Sequence, residues 1–125
     1  MSVRTTKKQF RVFEKECRRW LDKLSLSSWA VQIVHAEISD DSVFADCRTI
    51  DNNRAAALRM NTVVDIYRET LTDKFIRRYA IHEVLELLIS GCGGIMRQVA
   101  SSEIVERETH MVIRALENVL VEVKP

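Results

Sequence analysis

His82, Glu83 and Glu86 stand within one short apolar run, Ile81-His82-Glu83-Val84-Leu85-Glu86-Leu87-Leu88-Ile89. On a helix, residues four apart lie one above the other, so His82 and Glu86 would share a face while Glu83 points about 100° away. Charged groups are rarely buried without a partner, and a divalent cation is one such partner. Two ligands one turn apart can reach one ion at about 2.0–2.2 Å; a third comes from elsewhere, and the open fourth position takes a water whose pKa falls to about 7. A carboxylate one residue after the first ligand can take that water's proton and hand it to the leaving group. The spacing therefore points to metal-dependent hydrolysis, with Zn2+ as the ion, His82 and Glu86 as ligands and Glu83 as general base.

The third ligand must come from beyond this segment. Glu103, Glu106 and His110 follow one another at steps of three and four and so share a helical face beside an apolar stripe. His110 would complete a set of two imidazoles and one carboxylate, the composition of many catalytic zinc sites. Glu106 instead would give one imidazole and two carboxylates, a harder set. Simpler expectations compete with both. His82 could be a core histidine bonded to a backbone carbonyl, Glu86 could pair with Arg97 or Arg78, and Glu83 could lie on the solvent edge of its helix.

Such residues need a central helix to hold them. Thr70 or Thr72 can cap one that runs through Phe75 to about Ser90, with Asp73 in its first turn and Gly91-Cys92-Gly93-Gly94 to end it. Ala80, Ile81, Val84, Leu85, Leu87 and Leu88 cover more than half its circumference, as in a helix at the middle of a domain. A last helix is expected from Ser101 or Ser102 to about Val121, with the stripe Val105, Val112, Leu116, Val119 and Leu120.

Upstream, Phe10, Phe13, Cys17, Trp20, Leu21 and Leu24 recur at helical spacing between Thr6 and Leu24. Strands are expected from Trp29 to about Ala36, from Val43 to Ile50 and from Ala55 to Met60, the last also compatible with a helix through Ala55-Ala56-Ala57-Leu58. Ser39-Asp40-Asp41-Ser42 is a turn, and Asp51-Asn52-Asn53 carries hairpin chemistry. The order is that of a single α+β domain over residues 1–125: N-terminal helix, three-stranded antiparallel meander, a helix bearing His-Glu-x-x-Glu, and a C-terminal helix.

The net charge of +1 gives no bulk electrostatic reason to expect a nucleic-acid or membrane partner, and the basic segment Arg4–Arg19 reads as the solvated face of a helix. The three cysteines, Cys17, Cys47 and Cys92, are odd in number and widely spaced, which fits reduced thiols in a cytoplasm and no catalytic role. No signal-peptide-like run or stretch of about 20 apolar residues is found. Trp20 and Trp29 are expected as core anchors, and His35, beside Glu37, as a surface residue.

The chain also resembles the small, often phage-encoded metallopeptidases of the zincin and SprT-like group. The matching stretches are Trp29-Ala30-Val31, Ala45-Asp46-Cys47, Ala57-Leu58-Arg59-Met60-Asn61 and Ala80-Ile81-His82-Glu83-Val84-Leu85-Glu86-Leu87-Leu88, with His110 to Glu117 similar to the closing helix. The resemblance implies a zincin-like fold, a peptide or protein substrate, His82 as a zinc ligand, Glu83 as general base, and the cytoplasm of a host cell if the protein is phage-encoded. It further implies that the strand near Ala57 to Met60 borders the cleft and could hold an extended substrate by strand addition. The group's pattern has a second histidine where this chain has Glu86. That departure admits an alternative, a non-catalytic binding or regulatory domain on a scaffold that has lost its activity.

Overall fold

The computed structural model describes residues 2–50 and 54–122. Helix α1 (Lys7–Lys23) buries Phe13, Cys17, Trp20 and Leu21, which return to one face every three or four residues. Thr6 starts it with a capping box: its hydroxyl accepts from the Gln9 N–H at 3.1 Å, and Gln9 Oε1 accepts from the Thr6 N–H at 2.8 Å. Glu16 is buried in the same helix because Trp20 Nε1 donates to it at 2.8 Å and Arg19 lies 3.2 Å away.

The strands β2 (Ala30–Ala36), β3 (Ala45–Ile50) and β4 (Ala55–Asn61) form one sheet, while β1 (Val3–Arg4) and β5 (Val63–Val64) form a separate antiparallel pair. The expected meander is overturned. The order across the sheet is β2-β4-β3, with β4 parallel to β2 and antiparallel to β3. Burial gives the reason. Ala56, Leu58 and Met60 of β4 are all buried, so the last strand takes the centre, and the strands carrying Gln32, Asp46 and Arg48 take the edges.

To reach the far edge the chain crosses over through residues 37–44, and one side chain fastens that crossing. Asn61 is fully buried. Its Oδ1 accepts from the Ile38 N–H at 3.0 Å and the Val63 N–H at 3.2 Å, and its Nδ2 donates to the carbonyls of Val43 at 2.9 Å and Asp40 at 3.2 Å. Within the crossing, Asp40 Oδ1 accepts from the Ser42 N–H at 2.9 Å and the Ser42 hydroxyl at 2.6 Å, the expected turn. The hairpin residues Asp51-Asn52-Asn53 lie outside the described residues; Ile50 and Ala55 are the paired residues on either side of them.

Helix α2 (Asp73–Met96) is capped by Thr72, whose hydroxyl accepts from the Phe75 N–H at 3.2 Å. Ile76, Ala80, Ile81, Val84, Leu85 and Leu87 are buried, because α1 and the sheet cover one side of the helix and α3 (Ser102–Glu122) another; Leu88 is exposed. The glycines do not end it. Gly91-Cys92-Gly93-Gly94 lies inside the helix and no glycine takes a positive φ. Glycine in a helix costs about 1 kcal/mol against alanine but keeps its backbone hydrogen bonds, so packing can override it.

The stripe expected on α3 holds at Val105, which is buried, and at Leu116 and Leu120, which pack half-buried against the core; Val112 and Val119 are exposed, and Ile113 and Glu117 are buried instead. The helix packs chiefly against α2, so its buried strip is narrow. No helix among the described residues is long and apolar enough to cross a membrane.

Candidate metal centre

The seam between α2 and α3 brings His82, Glu86 and His110 together. One ligand atom from each lies within 4.8 Å of the other two. Glu86 Oε1 is 3.4 Å from His110 Nε2 and 4.0 Å from His82 Nε2, and the two imidazole rings are 6.2 Å apart at their centroids. Around a tetrahedral ion with bonds of about 2.0–2.2 Å, neighbouring ligand atoms are about 3.4 Å apart. The group could therefore hold a metal ion after a modest contraction.

All three residues are half-buried, screened enough to favour a fixed geometry and open enough to admit an ion. Of the two candidates on α3, His110 belongs to the group; Glu106, one turn away, is exposed and stands outside it.

Glu117 is the residue that the sequence reading missed. Its Oε2 lies 2.6 Å from His82 Nδ1, and Arg78 Nε is 3.5 Å from its other oxygen. With Nδ1 held as a donor, His82 presents Nε2 as the lone-pair nitrogen toward Glu86 and His110. Carboxylates in this second layer orient metal-binding histidines and raise their basicity. The signal was present: Glu117 follows His110 by seven residues, two turns along the same face.

The simpler expectations are replaced in turn. The group facing the His82 ring is the Glu117 carboxylate rather than a backbone carbonyl. Glu86 faces two imidazoles; Arg78 goes instead to Glu117 and, at 2.9 Å, to Asn118 Oδ1.

Glu83 is not on a solvent edge but only 5 % exposed. Among the described residues its carboxylate makes no hydrogen bond and no ion pair, and because no fully buried side-chain oxygen there lacks a partner, its oxygens keep a sliver of solvent contact. Burial, and then the neighbouring charges of Glu86, Asp46 and Glu117, push its pKa well above the usual carboxylate range.

Between β3, α2 and α3 runs a cleft of about 190 Å³, with Cys47 and Thr49 on the strand side, Glu86, Ser90 and Arg97 from α2, and Thr109 from α3. Cys47 thus lines the same cleft as the candidate ligand Glu86. Its thiol is pushed up to about 12 by burial and by Glu83, Glu86 and Asp46, which keeps it protonated and non-nucleophilic at neutral pH. Strand β4 is hydrogen-bonded on both sides and cannot take up another strand, so the free edge beside the cleft belongs to β3.

Comparison of the chain with protein-family models, curated proteins and solved structures found no match.

His35 lies apart from this group, at the far edge strand. It is half-buried rather than on the surface: its ring stacks on Phe10 at 5.1 Å, and its Nε2 lies 2.7 Å from Thr5 Oγ1. Because the Thr5 hydroxyl donates to the Asn61 carbonyl at 2.7 Å, it accepts from the His35 ring. Burial lowers the His35 pKa, which favours a neutral structural residue.

Proposed function

We propose that the protein is a metal-dependent hydrolase of the zincin-like kind, acting on peptide bonds with zinc bound by His82, Glu86 and His110. The observation that carries the reading is the convergence of these three ligand atoms within 4.8 Å from two separate helices. Two imidazoles and one carboxylate with an open position are a donor set that suits catalytic zinc. A zinc ion bound there would supply Lewis acidity and lower the pKa of water.

The residues of the chain divide the remaining work. Glu117 fixes the His82 ring. Glu83 accepts a proton at its carboxylate and returns it to the leaving nitrogen; its buried, unpaired state supports this role by making it more basic than an exposed carboxylate. The free edge of β3 can align an extended peptide along the cleft by strand addition.

The test is hydrolysis of an unstructured protein such as casein by zinc-loaded protein. Loss of hydrolysis in Glu83→Gln with zinc retained is the expected result. Equal activity in that variant would remove Glu83 from the mechanism.

One observation favours a second reading. Glu86 faces both imidazoles, 3.4 Å from His110 and 4.0 Å from His82, as a side-chain cluster tying α2 to α3 in a non-catalytic binding or regulatory domain would. That reading predicts little metal binding by the wild type and a gain of affinity in Glu86→His.

A further inference from the structure

The cleft that begins at Glu86 continues to an arginine. Residues 86, 90, 93 and 97 follow one another at steps of four, three and four, and together they line one wall. Arg97 is the C-terminal cap of α2, where a cation complements the helix dipole. Its side chain folds back over Gly93, so that a Cβ at position 93 would lie 3.5 Å from Arg97 Nη1. That spacing is ordinary van der Waals contact, so the guanidinium rests directly beside position 93. Among the described residues the Arg97 guanidinium makes no hydrogen bond and no ion pair. A cation lining a cleft, with five donors and no acidic partner, is matched to an anionic ligand.

The distance defines which anion. Positions 86 and 93 are seven residues apart, about 10 Å along a helix rising 1.5 Å per residue. An extended peptide advances about 3.3 Å per residue, so the guanidinium stands about three residues from the candidate ligands. We infer that Arg97, seated over Gly93, selects peptides carrying a carboxylate about three residues from the bond held at His82, Glu86 and His110. The selection deepens the hydrolase reading and rests on it. The planar guanidinium can meet that carboxylate in a bidentate, charge-assisted pair, which a glutamine at the same place of the substrate cannot form.

Cobalt-loaded protein tests this without relying on turnover, because the visible absorption of Co2+ reports what binds beside it. The probes are two peptide hydroxamates that approach from opposite sides, acetyl-Glu-Ala-Ala-hydroxamate and hydroxamoyl-acetyl-Ala-Ala-Glu amide, each with its Gln counterpart. In one of the two pairs the Glu form is expected to bind about tenfold tighter, the order of one hydrogen bond to a charged group. Arg97→Gln, an exposed change, should abolish that preference and leave the affinity for the Gln forms unaltered. Equal binding of Glu and Gln forms in both pairs would overturn the inference, as would a preference that survives in Arg97→Gln. Failure of the wild type to bind Co2+ is seen before any hydroxamate is added; it overturns the hydrolase reading, and this inference falls with it.

Discussion

His82 Nδ1 and Glu117 Oε2 lie 2.6 Å apart, joining α2 to α3 at the candidate metal centre. Glu117 is buried, and Arg78 balances its charge from the solvent side at 3.5 Å. Replacing the carboxylate with an amide keeps the shape but weakens the hydrogen bond that fixes the imidazole. Glu117→Gln should lower zinc affinity about 10-fold to 100-fold, the usual cost of losing such a second-layer partner. Competition with a chromogenic chelator measures it, and an affinity unchanged within twofold would show that Glu117 serves only the helix seam.

Glu83 makes a prediction about pH. Its folded pKa is raised above the ordinary 4.5, so the fold favours the protonated form. The stability it contributes is full below the unfolded value and is lost as pH rises through the folded value. Metal-free protein therefore loses stability at this group as pH rises above the ordinary carboxylate range. Glu83→Gln should raise the melting temperature of metal-free protein by about 4 °C at pH 8, on the order of 1 kcal/mol, with the gain shrinking toward pH 5. A constant gain across that range, or a loss at pH 8, would contradict the burial of an unpaired carboxylate.

Asn61 should be among the most costly side chains to remove outside the apolar core. Asn61→Ala leaves Ile38 N–H, Val63 N–H and the carbonyls of Asp40 and Val43 without this partner. Each buried orphan costs about 1–3 kcal/mol, tempered by water entering the space, so a total loss of about 3 kcal/mol or more is expected in urea unfolding. A loss below about 1 kcal/mol would mean that the crossing 37–44 holds itself.

The parts of this fold that local periodicity encodes were legible, and those that depend on distant partners were not. Phe13, Cys17, Trp20 and Leu21 announced α1, and alternation of Trp29, Val31 and Ile33 announced the first strand of the three-stranded sheet. The hairpin residues 51–53 marked the other two, the last of them still compatible with a helix. The strand order was not legible: Ala56, Leu58 and Met60 reveal that β4 is central only once their burial is known. The glycine run at 91–94 misled for a related reason, since a helix end depends on packing as well as on propensity. At the candidate site, the i, i+4 spacing gave His82 and Glu86, and the face of α3 offered His110 with Glu106 as its alternative. The packing of α3 against α2 separated them, and it also brought Glu117 to His82.

The most direct test is a zinc titration of purified, metal-free protein by calorimetry, beside His82→Ala and His110→Ala. One zinc per chain in the wild type, with binding lost or weakened at least 100-fold in each variant, is the predicted result: removing either imidazole leaves two of three ligands from the seam between α2 and α3. No zinc binding by the wild type, or binding untouched by both variants, would contradict a metal centre at this place.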